Sequence, residues 1–132
     1  MNKENEFTST RDLSKYHENN VARILHGSRQ PNSGSTPFLK GDVIAGDWIV
    51  ECKATMKPTN SIAIRKDVID KLEEERKQML KLYKAVAVSF DCGKTSYFVV
   101  DERTMKRLLE ALEADNASAN EPVNTTHNPF YG

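Results

Sequence analysis

The sequence predicts an α/β protein in which helices pack on both sides of a mixed central sheet. Three observations carry this. Apolar residues recur at helical spacing in three separate segments. Between them lie short runs that are β-rich and either alternating or continuously apolar. The resulting order of helix, three strands, helix, two strands and helix is the pattern of a layered α/β fold.

Residues 1–8 read as a loose arm. The first helix spans Ser9–Leu25: Ser9 and Asp12 have capping-box spacing, and Leu13, Tyr16, Val21, Ile24 and Leu25 supply the apolar stripe. Gly27 lies where a helix would stop. Ser28–Lys40, with Pro31, Gly34 and Pro37, reads as a loop long enough to carry function. Asp42–Ala45 is a short strand, Gly46-Asp47 a tight turn, and Trp48–Lys53 the returning strand. Ser61–Ile64 alternates polar and apolar residues, which predicts a third strand. Lys66–Tyr83 is a helix with Val68, Ile69, Leu72, Met79, Leu80 and Tyr83 as its apolar positions and a fully charged centre, Glu73–Lys77. Ala85–Phe90 is almost continuously apolar, as for a strand buried on both faces. Asp91–Lys94 makes a turn, and Ser96–Val100 is the next strand. Asp101 caps a last helix with Met105, Leu108, Leu109 and Leu112 at i, i+3, i+4 and i+7. The domain is expected over residues 9–114. Asn, Ala, Ser, Thr and Pro dominate 115–132, a composition that predicts a disordered tail.

The chain has 132 residues, 29% of them charged, and zero net charge. No apolar run approaches the roughly 20 residues a membrane span needs, and the polar start, Met1 to Arg11, is not a secretory signal. A cytoplasmic protein is expected. Cys52 and Cys92 lack Cys-x-x-Cys spacing, which excludes a zinc ribbon; both read as small, partly buried side chains. Charge is unevenly spread. Asn19–Lys66 holds seven basic residues against three acidic ones, and two of those acids are candidate metal ligands. His17, His26 and His127 share no ligand spacing; His17 and His26 read as helix-surface residues and Trp48 as sheet core.

Chemistry concentrates on the hairpin. Residues i and i+2 of a strand share a face, so Glu51 and Lys53 project together. With the turn centred on Gly46-Asp47, Glu51 pairs with Asp42. Two carboxylates and an ammonium then meet at one corner of the sheet. Magnesium takes one or two carboxylates and keeps several waters. Held there, it would polarise a phosphoryl oxygen and lower the pKa of a bound water.

The stretch Gly41-Asp42-Val-Ile-Ala-Gly-Asp-Trp-Ile-Val-Glu51-Cys52-Lys53 resembles the signature of PD-(D/E)XK nucleases, with Gly41 in place of the usual proline. Its context is similar to one branch, the archaeal-type and phage Holliday junction resolvases. Arg29-Gln-Pro-Asn-Ser33-Gly34-Ser35 looks like that branch's serine-glycine loop, and Glu18 on the first helix like its helical glutamate. The resemblance covers roughly Ser14 to Leu109. It implies a restriction-endonuclease-like αβββαβ core, in a bacterial, archaeal or phage-infected cell.

By that resemblance Asp42 and Glu51 bind the metal with the backbone carbonyl of Cys52, and Glu18 completes the site through water. Lys53 orients the attacking water and helps neutralise the phosphate. Ser33, Ser35, Arg29, Gln30 and Lys57 contact DNA. The implied enzyme is a homodimer that uses Mg2+ (or Mn2+), needs no nucleotide cofactor, cuts branched DNA and leaves a 5′-phosphate. The same catalytic residues would also serve a nuclease of linear duplexes, flaps or restriction-type sites. A non-catalytic DNA-binding subunit of the same fold is a third reading. Arg76 and Gln78 read as a solvated helix face, and Asn128-Pro-Phe-Tyr as a plain chain end.

Overall fold

A computed structural model describes residues 7–30 and 41–119. The chain divides into two compact units, residues 1–100 and 101–132. The first unit is an α/β arrangement around a five-stranded mixed sheet. Among the described residues no helix is long and apolar enough to cross a membrane.

Helix α1 spans Thr10–Leu25. Ser9 caps it, its Oγ accepting the Asp12 N–H at 3.1 Å. Phe7 and Thr8 are held rather than loose: the Phe7 ring lies 5.3 Å from that of Tyr16, and Thr8 donates to Asp12. The helix stops at His26, whose φ of 56° is left-handed, and the Gly27 N–H then bonds the Ala22 carbonyl at 2.8 Å. A Cβ on Gly27 would lie 2.4 Å from the Ile44 carbonyl oxygen, so this glycine permits the close approach of α1 to the sheet. The buried positions of α1 are Leu13, His17, Val21 and Ala22, whereas Tyr16 and Ile24 are exposed. His17 is thus not a surface residue. It is 1% exposed, hydrogen-bonds Ser96 Oγ at 2.8 Å, and burial lowers its pKa to about 4.

The expected loop begins as a strand. Strand β1 (Ser28–Arg29) pairs antiparallel with β2 (Val43–Ala45), Arg29 opposite Val43. The Gly46-Asp47 turn returns the chain as β3 (Trp48–Ala54), with Val43 opposite Val50 and Ala45 opposite Trp48. Ser61–Ile64 forms no strand, contrary to its alternation; Ile62 and Ile64 instead pack on the core without a ladder.

Helix α2 spans Lys66–Gln78, five residues shorter than its periodicity predicts. Leu80 turns left-handed (φ 56°), the Lys81 N–H bonds the Arg76 carbonyl, and the Asp47 carbonyl takes the N–H groups of Leu82 and Tyr83. These contacts convert the helix end into β4 (Tyr83–Ser89), which runs parallel to β3. Strand β5 (Tyr97–Val99) closes the sheet in the order β1-β2-β3-β4-β5.

Alternation along β3 and β4 divides the core. Val50, Ala85 and Ala87 pack with Val21, Ala22 and Val43 on the α1 face; Ile49, Val86 and Val88 pack with Leu72 on the α2 face. Leu72 is the fully buried anchor of α2. Leu72→Ala is expected to cost about 2–5 kcal/mol in a urea unfolding series.

In the second unit, α3 (Glu102–Ala119) begins at Asp101, whose Oδ1 accepts the Thr104 N–H at 2.8 Å. It continues through residues 115–119, which composition had assigned to a disordered tail. Residues 120–132 lie outside the described residues.

Candidate active site

Backbone hydrogen bonds fix Asp42 on both sides. Its N–H donates to the Val50 carbonyl at 3.0 Å, and its own carbonyl accepts from Gln30 N–H at 2.8 Å. The β2–β3 ladder ends at Val43 opposite Val50, and the Asp42 bond to the Val50 carbonyl lies one residue out of that register, so Asp42 stands beside the ladder rather than in it; its charge still reaches Glu51. The Asp42 Oδ2 accepts the Cys52 N–H at 2.8 Å. The N–H and C=O of one strand residue leave on the same edge. The Cys52 carbonyl therefore also faces the β2 side.

Gly41 explains why no proline stands before this acid. Its φ is +72°, and a Cβ there would lie 2.5 Å from Ile49 Cγ1. Proline can take neither that dihedral nor the next contact. The Gly41 N–H donates to Glu75 Oε1 of α2 at 3.2 Å.

Burial and mutual repulsion dominate the electrostatics. Desolvation, then the charges of Asp42 and Glu75, push Glu51 up to about 7; Lys71 opposes them. Asp42 is raised by desolvation, against the pull of the Cys52 N–H, Lys71 and Arg29. Glu18 is raised by desolvation and by Asp42, against its ion pair with Arg29. Burial, with these acids nearby, pushes the Cys52 thiol up, so it stays protonated. Carboxyl groups thus crowd around Asp42 and Glu51 beyond what Lys71 and Arg29 offset, and the crowding favours their protonated forms.

Glu18 lies within electrostatic reach of Asp42 and Glu51, but its Oε1 is engaged by Arg29 Nε at 2.8 Å. Arg29, a DNA contact by resemblance, is therefore held by Glu18. Lys53 shares the Glu51 face by alternation; the ammonium acting on both acids is Lys71. Gln30 Nε2 donates to the Ser28 carbonyl, and Lys57 is exposed with its carbonyl accepting from Thr55. Ser33 and Ser35 lie outside the described residues. Among the described residues no three His, Cys, Asp or Glu side chains are arranged to hold an ion. Asp42 and Glu51, two hard oxygen donors, fit magnesium's need for one or two carboxylates beside its waters.

Lys71 and Glu75 belong to no motif of the sequence. Glu75 is 8% exposed within a run that reads as solvated charge, and Lys71 Nζ sits 3.8 Å from its Oε2. A signal was present: Val68, Leu72, Glu75 and Met79 follow helical spacing, so Glu75 occupies a position of the apolar stripe. Arg76 departs from the solvated face expected of it. It pairs with Glu73 at 2.7 Å and donates to the Lys81 carbonyl.

Glu75→Ala would leave the Gly41 N–H without its carboxylate acceptor. A loss of about 1–3 kcal/mol is expected in chemical denaturation. Glu75→Gln keeps an acceptor oxygen and should lose less.

Comparison with protein-family models, with curated proteins and with solved structures gives no match.

Proposed function

We propose that the chain is a magnesium-dependent endonuclease of the PD-(D/E)XK type that cleaves branched DNA. The observation that carries this reading is the desolvated pair Asp42 and Glu51 at the end of the β2–β3 hairpin, with the Cys52 N–H fixing one carboxylate. The helix before the hairpin and the helix-strand unit after it support a restriction-endonuclease-like core.

Asp42 and Glu51 would hold the cation, together with the Cys52 carbonyl. Magnesium, when bound, offsets charge on the phosphate and acidifies a water. Asp42 is kept in one orientation by the Cys52 N–H, and Gly41 by Glu75. Lys53, on the Glu51 face, would orient the attacking water; Lys71 would add positive charge from α2. Glu18 would reach the site once Arg29 turns to a phosphate. Two copies, each with one such centre, could nick opposed strands of a four-way junction. The wider reading places the protein in a cytoplasm where recombination or phage replication makes such DNA.

The test is a cleavage panel in magnesium: a four-way junction, a flap and a linear duplex of equal length. Faster scission of the junction, with 5′-phosphate ends, is the expected result. Preference for linear duplex would move the substrate while keeping the chemistry. Binding without scission in magnesium and manganese would overturn the enzyme.

A further inference from the structure

Helix α3 carries two features that the candidate active site does not use. The first is its apolar stripe. Met105, Leu108, Leu109 and Leu112 are 47%, 39%, 47% and 59% exposed. Their i, i+3, i+4, i+7 spacing draws a narrow seam along one side, the width that a single partner helix covers.

The second feature is charge order. Arg103, Lys106 and Arg107 lie in the first half of α3, against Glu102 alone. Glu110, Glu113 and Asp115 lie in the second half, which holds no Lys or Arg, although Arg107 reaches across to Glu110 at 3.9 Å. The helix macrodipole favours the reverse arrangement, anions first and cations last. This order therefore works against the helix in isolation. It becomes favourable when a second such helix lies alongside in the opposite direction.

We propose that α3 pairs antiparallel with α3 of a second copy of this chain, about a two-fold axis between Leu108 and Leu109. Met105 then meets Leu112 of the partner subunit, and Leu108 meets Leu109 of the partner subunit, twice over by symmetry. Lys106 and Glu113 are seven residues apart and so border the seam on the same flank. Antiparallel packing sets like flanks together, bringing Lys106 toward Glu113 of the partner subunit. A parallel pair would set the two basic halves against each other. A seam of four residues is small beside the roughly 800 Å² per partner of standard interfaces, so a reversible dimer in the micromolar range is expected.

This names a surface for the two-copy arrangement proposed above. No residue of α3 belongs to the candidate active site, so its failure leaves the chemistry standing, and failure of the chemistry leaves it standing.

The experiment measures the mass of the full chain by sedimentation equilibrium across the micromolar range, with circular dichroism to check helix content. Wild type should pass from monomer to dimer. Leu109→Glu with Leu112→Glu should remain monomeric with its helix intact. Lys106→Glu with Arg107→Glu makes the helix mostly acidic, leaving Arg103 as its one cation, and Glu110→Lys with Glu113→Lys makes it mostly basic. Each alone should dimerise at least about tenfold more weakly, and an equimolar mixture of the two should recover the dimer. A monomeric wild type throughout would overturn the proposal, as would a dimer that survives the leucine changes. Charge variants that self-associate like wild type, or a mixture that recovers nothing, would overturn the antiparallel pairing.

Discussion

Asp42→Asn is expected to abolish magnesium-dependent scission while the protein stays folded and still binds DNA. Asparagine keeps the size of the side chain, and its carbonyl oxygen can still accept the Cys52 N–H that Asp42 Oδ2 accepts at 2.8 Å. It removes one of the two negative charges that would hold the cation. Loss of an outer-shell partner costs a metal site about 10–100-fold; loss of a direct ligand should exceed that, so kcat/KM should fall by more than about a hundredfold. Stability should move the other way. A buried carboxylate short of a counter-ion is a burden on the metal-free fold, and Asp42 raises Glu51 by repulsion. The metal-free variant should therefore melt no lower than wild type at pH 8. The measurements are initial cleavage rates and thermal unfolding on one preparation. A variant that cleaves at the wild-type rate would remove Asp42 from the site.

Glu51 gives the second large effect, through pH. Its pKa is raised from 4.5 to about 7 by desolvation first and by Asp42 and Glu75 next. Between pH 4.5 and 7 the folded state holds a proton that the unfolded state has released, so stability falls as pH rises through that window. The whole effect is on the order of 3 kcal/mol at most. His17 acts oppositely: with its pKa lowered to about 4, the unfolded state binds more protons between pH 4 and 6.5, and stability rises with pH there. The two slopes oppose each other below pH 6.5. Glu51→Gln isolates the first. Its advantage over wild type should be near zero at pH 4.5 and grow to several degrees of melting temperature by pH 8. Because magnesium competes with the proton for the same carboxylate, it should stabilise wild type more at pH 8 than at pH 6, and the variant little at either. A constant difference between variant and wild type across pH would remove Glu51 from this buried acid pair.

The hairpin was legible because its determinants are local. A two-residue turn at Gly46-Asp47 fixes the pairing of Val43–Ala45 with Trp48–Val50, and strand alternation assigns their faces. The starts of α1 and α3 were legible for the same reason, since Ser9 and Asp101 bond N–H groups three residues on. Other features depended on partners distant in the chain. Ser61–Ile64 alternates like a strand, yet both edges of β4 are occupied by β3 and β5. Strand β1 is two residues long and exists because β2 presents a free edge to it. Helix α2 keeps its periodicity past Gln78, but the Asp47 carbonyl captures Leu82 and Tyr83 and starts a strand instead.

By itself, then, the sequence determined the α/β class and the hairpin. Spacing, turn chemistry and capping act over a few residues and need no distant partner. Only the tertiary structure decided that His17 is buried against Ser96, that Arg29 occupies Glu18, and that Lys71 and Glu75 of α2 attend the acid pair. Whether a charged side chain meets water or another charge depends on which element packs over it, and that is settled by the burial of apolar surface elsewhere in the chain.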